Sequence, residues 1–138
     1  MRILLASAAI VALAVPPAQA GSLWKLFDGC TFGLQTQCAK NVTHGSNNKA
    51  RIDQDQWGNG FQFGFQIQNG NGNNAYTGQT GTNDVAFTLQ NGNNNTAFTS
   101  QDGNNKASVT LQTGSQGGMW AASTSSGDNT ATFVVQQN

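Results

Sequence analysis

Apolar and polar residues alternate along short stretches of this chain, and runs rich in Gly and Asn separate the stretches. Phe87 and Leu89 fall on one face of such a stretch, whereas Thr88 and Gln90 fall on the other. A period of two predicts β-strands of about five to seven residues. Gly and Asn tolerate positive φ angles, so the intervening runs predict tight turns. The longest apolar stripe comprises Phe61, Phe63, Phe65 and Ile67.

A Gln-x-Gly motif ends most of these stretches, and its glycines are mostly eleven residues apart. A fixed period indicates repeated units, each of which needs a neighbour to bury its face. The most regular units read Asn-x-Ala-x-x-x-Gln before the next Gly, as in the segments 70–81 and 92–103. The predicted turn glycines are Gly45, Gly58, Gly70, Gly81, Gly92, Gly103, Gly114 and Gly127.

Two all-β architectures fit units of this length. In a meander, successive strands pair antiparallel through hairpin turns such as Asn69-Gly70. In a solenoid, two units form one rung of about 22 residues, and the rungs stack in parallel about 4.8 Å apart. The solenoid is favoured because identical Asn and Gln side chains one rung apart would hydrogen-bond as ladders. We therefore predict a short parallel β-solenoid of strand-turn-strand rungs, and either strand face could point inward.

The first twenty residues have the three parts of a secretory signal peptide. Arg2 supplies the positive charge, residues 3–15 are almost wholly apolar, and the segment 18–20 fits the small-x-small cleavage rule. The apolar run is shorter than the roughly 20 residues that span a bilayer. We therefore predict a signal peptide at 1–20, a non-repeat cap or secretion segment at 21–44, and a repeat domain at 45–138, with no membrane span after cleavage.

Charged residues make up 9% of the chain, and the formal net charge is zero. This balance argues against nucleic acid as a partner, because a basic patch is absent. Low charge also favours self-association. The scattered aspartates are interpreted as charges that slow lateral aggregation. Lys49, Arg51 and Lys106 are predicted to be solvated rung positions.

No residue set in the sequence predicts catalysis or a cofactor. His44 is the single histidine, and with two cysteines it does not complete a four-ligand metal site. The segment 70–75 matches a G-x-G-x-x-A fingerprint, but a strand rather than a helix is predicted after it. In an oxidising compartment Cys30 and Cys38 could form a disulfide; reduced cysteines kept open for export are the alternative. We predict a protein that is not an enzyme.

The unit Asn-x-Ala-x-x-x-Gln-x-Gly, after a secretion signal, resembles the curlin repeat, and the segment 45–54 resembles a repeat of the minor, nucleating curlin. Curlins are the subunits of curli, the amyloid fibres of bacterial surfaces. The resemblance covers roughly residues 45–136. Carried over by position, it implies ladder residues at Asn48, Ala50, Gln54, Asn73, Ala75, Gln79, Ala86, Gln90, Asn95, Ala97 and Gln101. Gln68 and Gln112 end units of the same motif and are assigned to the ladders with them.

The resemblance implies a secreted, extracellular β-solenoid that polymerises by templated stacking of its terminal rungs into an amyloid fibre (fimbrium). Such fibres serve cell adhesion and biofilm formation. The implied partners are further copies of the chain, a second curlin subunit and the curli secretion machinery, with export of the unfolded subunit through an outer-membrane pore. Both the major and the nucleating role stay open.

A monomeric secreted β-solenoid that binds ice or carbohydrate is the alternative function. It would use a flat array of threonines on one surface, and four threonines do recur every eleven residues. They are Thr77, Thr88, Thr99 and Thr110.

Overall fold

The computed structural model describes residues 35–114 and 118–138, and nine β-strands account for most of them. The strands are β1 (Gln35–His44), β2 (Lys49–Gln56), β3 (Gly60–Asn69), β4 (Asn74–Thr82), β5 (Asp84–Asn91), β6 (Thr96–Asn104), β7 (Ala107–Thr113), β8 (Trp120–Ser126) and β9 (Ala131–Gln137). Within these two ranges there is no helix, and so none that is long and apolar enough to cross a membrane.

The strands form two sheets, and consecutive strands alternate between them. Sheet A has the order β1-β3-β5-β7-β9, and sheet B has the order β2-β4-β6-β8. Every neighbouring pair is parallel. A strand of sheet A and the next strand of sheet B therefore make one rung, and about four rungs stack into a solenoid. The predicted parallel β-solenoid is confirmed, and the antiparallel meander is excluded.

The rung length is 22 residues at the centre of the solenoid and slightly longer near its ends. Gln68 pairs with Gln90, 22 residues on. Gln35 pairs with Gly60 across 25 residues, and Ala107 pairs with Ala131 across 24. The extra residues lie in turns, because the residue-by-residue pairing within the strands is uninterrupted. β1 precedes the predicted repeat boundary at residue 45, yet it pairs along its whole length with β3.

Small and polar side chains fill the space between the two sheets. Ala75, Thr77 and Gln79 of sheet B are at most 1% exposed, whereas Tyr76 between them is only partly buried. In sheet A, Gln66 Nε2 donates to Thr77 Oγ1 at 2.8 Å, which places it on the inner face. The face that carries Ala, Thr and Gln therefore points inward in both sheets.

Apolar residues lie on the outer face of sheet A, away from sheet B. They form columns of parallel neighbours such as Phe65, Phe87 and Val109. In β9 the outer residues Phe133 and Val135 are 55% and 54% exposed. The residues of this apolar face that are buried are Cys38, Phe63, Phe65, Ile67, Phe87, Leu89, Val109 and Leu111. Among the described residues, the main apolar cluster thus lies outside the solenoid's two-sheet interior.

The turns stack from rung to rung as the strands do. Asn94 has a φ of 56° and Asn105 a φ of 58°, a left-handed conformation that Asn tolerates better than most residues. Gly70 has a φ of 116°, and a Cβ atom added there would overlap the carbonyl oxygen of Gly92 in the next rung. Glycine is required at that position both for its backbone angle and for the close approach of stacked turns.

Candidate assembly site

A ladder of glutamine amides runs along the inner face of sheet A. Gln68 Nε2 donates to Gln90 Oε1 at 2.8 Å, and Gln90 Nε2 donates to Gln112 Oε1 at 2.8 Å. Gln112 Nε2 continues the ladder to Gln136 Oε1 at 2.9 Å. Gln68, Gln90 and Gln112 are fully buried. Every bond runs in the same direction, with the donor in the earlier rung, so the ladder has a polarity.

Sheet B carries a second glutamine ladder of the same polarity. Gln54 Nε2 donates to Gln79 Oε1, and Gln79 Nε2 donates to Gln101 Oε1, both at 2.9 Å. The column ends at Ser125, the next residue in register. Each amide also donates its second hydrogen across to the other sheet; Gln79 Nε2, for example, lies 3.2 Å from the carbonyl oxygen of Phe63. The ladders thus tie rungs together and also tie the two sheets to each other.

The asparagines at the start of the units form a third ladder at one edge of the solenoid. The backbone N–H of Asn73 donates to Asn48 Oδ1 at 2.9 Å, and that of Asn95 donates to Asn73 Oδ1 at 3.0 Å. Asn73 Nδ2 in turn donates to the carbonyl oxygen of Gly92 at 2.8 Å. These side chains hold each turn against the next one.

Asp84 and Lys106 occupy the corresponding column at the opposite edge. The backbone N–H of Lys106 donates to Asp84 Oδ1 at 3.2 Å, as the asparagine ladder does on the other side. Asp84 is fully buried, and its Oδ2 has no hydrogen-bond partner. Burial raises the pKa of Asp84 from 3.8 to about 6, and the hydrogen bond from the Lys106 backbone opposes the rise.

Lys106 was predicted to be solvated, and that prediction is wrong. Its side chain is fully buried. Its Nζ donates to the Ser125 carbonyl oxygen at 3.1 Å and to Thr130 Oγ1 at 3.3 Å. The ammonium group is therefore held by oxygen atoms of the next rung instead of by water. Asp84 and Lys106 are thus charged residues in the interior, and the sequence pattern did not predict that either would be buried.

The inner alanine column continues into β7 and β9 without alanine. Ala86 pairs with Ser108, and Ser108 pairs with Thr132, so these residues fill the inner alanine column. Ala107 instead pairs with Val85 on the outer face. Of the alanines predicted for this column, Ala75, Ala86 and Ala97 are buried, and Ala50 in the first rung is partly buried.

The predicted turn glycines fall into three groups. A Cβ atom at Gly45, Gly70, Gly81, Gly92 or Gly103 would clash with the glycine carbonyl of the following rung. Gly58 and Gly127 have positive φ angles but open space where a side chain would lie. Gly114 lies against Asn138 and has no positive φ.

Arg51, Asp53 and Tyr76 form a surface cluster on the outer face of sheet B. Arg51 Nη2 lies 2.9 Å from Asp53 Oδ2, and this hydrogen-bonded pairing lowers the pKa of Asp53. The Arg51 guanidinium also lies over the Tyr76 ring, 6.0 Å from its centroid. Tyr76 stacks on Phe98 with ring centroids 5.2 Å apart. Neighbouring rungs are thus joined by side chains on this outer surface as well.

Cys38 lies on the apolar outer face of sheet A and is disulfide-bonded. Cys30, the partner named from the sequence, lies outside the described residues, as do the signal peptide and most of the segment 21–44. The pairing of Cys30 with Cys38 therefore stays a prediction. Within residues 35–114 and 118–138, no group of three His, Cys, Asp or Glu side chains could hold a metal ion.

Comparison with family models, with curated proteins and with solved structures found no match to this chain.

Proposed function

We propose that this protein is a structural subunit of extracellular curli-type amyloid fibres, which grow by templated β-stacking at the ends of the solenoid. The proposal extends to secretion behind the signal peptide, to a place on the bacterial surface, and to a role in adhesion and biofilm formation. The partners would be further copies, a second curlin subunit and the secretion machinery.

The directional amide ladders carry this proposal. The glutamine ladders run from Gln54 to Gln101 in sheet B and from Gln68 to Gln136 in sheet A. Each ladder therefore reaches one end of the described stack, in the first rung for sheet B and in the last strand for sheet A. A ladder of this kind gains one more set of bonds for each rung that is added. The outermost strands of a sheet present backbone N–H and C=O groups that template pairing with another chain. The solenoid thus offers at its ends the same surface that holds its interior together.

The alternative function, a surface that binds ice or carbohydrate, loses its supporting feature. Its threonine array would have to face solvent. Instead the four threonines point between the sheets, where none is more than 1% exposed: Thr77, Thr88, Thr99 and Thr110. A ligand outside the solenoid would not reach them.

Fibre growth by the mature chain tests the proposal. Residues 21–138, diluted from denaturant at neutral pH, should show a lag and then a joint rise in thioflavin T fluorescence and β-structure, and preformed seeds should shorten the lag. Gln90→Ala with Gln101→Ala should slow growth because both ladders are cut. The control, Asn59→Ala with Gln137→Ala, removes two exposed amides and should grow like the parent. A soluble, β-rich monomer that gives no dye signal would contradict the proposal.

A further inference from the structure

The described solenoid has an odd number of strands. Five belong to sheet A and four to sheet B, so both outermost strands, β1 and β9, lie in sheet A. This count restricts how two copies can join end to end, if the proposed assembly is right. A junction must pair the edge of each sheet with a strand of the next copy, because unpaired backbone groups inside a stack are costly.

The two sheets present equivalent inner faces. Gln79 of sheet B donates to the carbonyl of Phe63 in sheet A, sixteen residues earlier, at 3.2 Å. Gln90 of sheet A donates to the carbonyl of Asn74 in sheet B, also sixteen residues earlier, at 3.1 Å. Both glutamines donate their other hydrogen to the glutamine 22 residues later. Successive strands are therefore related by a half turn about the solenoid axis.

Stacking two copies in the same orientation leaves a gap. β9 would pair with β1 of the partner subunit, because both belong to sheet A. β8 and the partner's β2 would then be two strand spacings apart, about 9.6 Å, with no strand between them. The backbone groups along both of those strands would lack partners.

We infer that successive copies are instead turned by half a revolution about the solenoid axis, so that β9 pairs with the partner's β2 and β8 pairs with the partner's β1. A half turn reverses strand direction, and each short turn between the sheets also reverses it. The new pairs are therefore parallel, like every pair within one copy. The alternation of strands between two positions then continues through the junction without a gap.

Side chains at the two ends match in this arrangement. Gln136 Nε2 donates to the Trp120 carbonyl at 2.6 Å, and an amide nitrogen has a second hydrogen to donate. Gln54 uses its own Nε2 for Gln79 and Cys38, and no described residue donates to its Oε1. The second hydrogen of Gln136 would reach Oε1 of the partner's Gln54, which continues the glutamine ladder. In the unturned stack it would meet the partner's Thr43 instead.

One pair of outer-face side chains is also favourable at the junction. With Gln136 opposite the partner's Gln54, the exposed ring of Phe133 stands opposite the partner's Arg51. That guanidinium already lies over Tyr76 on its other side. A cation between two aromatic rings is favourable.

Disulfide trapping in fibres distinguishes the two arrangements. Val135→Cys with Asp53→Cys places thiols on adjacent strands in the turned stack, about 4.8 Å apart along the axis, within the usual Cα range of a disulfide. Val135→Cys with Val42→Cys does so only in the unturned stack. We expect oxidation of fibres to give covalent oligomers for the first pair, and no more for the second pair than for Val135→Cys alone. Oligomers from the second pair, or none from the first pair in fibres that do form, would overturn the inference.

Helical symmetry of unmodified fibres gives an independent test. The turned stack predicts a half revolution per copy with a rise of about 22 Å, which is four and a half rungs. The unturned stack predicts no such rotation and a rise of about 24 Å, which is five strands of sheet A. Fibres with the second symmetry would overturn the inference and leave the proposed function intact. Failure of the unmodified chain to form fibres would overturn the proposed function itself.

Discussion

Replacement of Asp84 by Asn should stabilise the protein at neutral pH and remove part of its pH dependence. Asp84 is fully buried, and its Oδ2 has no hydrogen-bond partner. Asn keeps an oxygen to accept the backbone N–H of Lys106 and adds an NH2 group, as Asn73 uses in the opposite ladder. The substitution therefore removes the buried charge at this position and keeps the bond to the next rung.

The size of the effect follows from the pKa. Burial raises the pKa of Asp84 from 3.8 to about 6. A difference of one in pKa corresponds to about 1.4 kcal/mol, so ionised Asp84 lowers the stability of the fold at pH 7 by about 3 kcal/mol at most. Because the folded state binds the proton more tightly, stability should rise as the pH falls from 7 through 6 and level off near 4. Asp84→Asn should gain about 1–3 kcal/mol at pH 7 and little at pH 4.

Guanidinium chloride unfolding at fixed ionic strength between pH 4 and pH 7 measures this difference. The control is Asp102→Asn, which removes the same charge from an exposed position of β6 and should leave the slope of stability with pH close to that of the parent. If Asp84→Asn kept the parent's slope, or if the parent were more stable at pH 7 than at pH 5, the assignment of a buried ionised carboxyl at this column would be wrong.

Two further substitutions probe single features. Gln90→Ala removes hydrogen bonds to Gln68, Gln112 and Asn74. It should lower the free energy of unfolding by about 3–6 kcal/mol, because each buried polar group left without a partner costs about 1–3 kcal/mol. The control, exposed Gln137→Ala, should cost under about 0.5 kcal/mol, and equal losses in denaturant titrations would refute the ladder's role. Gly70→Ala should prevent rung stacking. Gly58→Ala, at a similar positive φ but with open space for the side chain, should lower the stability only by the backbone strain of about 1–2 kcal/mol. If circular dichroism and unfolding midpoints fell equally for both variants, stacking of the turns would not depend on the missing Cβ.

The sequence carries the period of the fold but not the direction of its faces. The spacing of Gln-x-Gly predicts strands, turns and parallel rungs because each is a local or nearest-neighbour property. Phe87 and Leu89 alternate with Thr88 and Gln90, and the same alternation fits either face inward. The usual preference for apolar interiors would favour the wrong face. The inner face is decided by whether buried amides find partners in other rungs, which depends on the whole stack.

The wrong prediction for Lys106 has a similar cause. The pairing of Ala86 with Ser108 places Ala107 on the outer face and Lys106 in the interior. A shift of one residue exchanges the two faces of a strand, and register is fixed by neighbours rather than by the strand itself. β1 left a fainter signal, since Ala39-x-x-x-Thr43-x-Gly45 keeps the Ala and Gly of the unit with Thr in place of Gln.

The alternation of strands between two dissimilar outer faces constrains how such a gene could change length. Leu89 lies on the apolar outside of sheet A, and Ser100, eleven residues on, lies on the polar outside of sheet B. Gain or loss of one eleven-residue unit would transfer every later strand to the opposite sheet and interrupt both surfaces. Gain or loss of two units would leave them continuous. Inheritance of this fold should therefore proceed by duplication of whole rungs, so that related chains would differ in steps of about 22 residues.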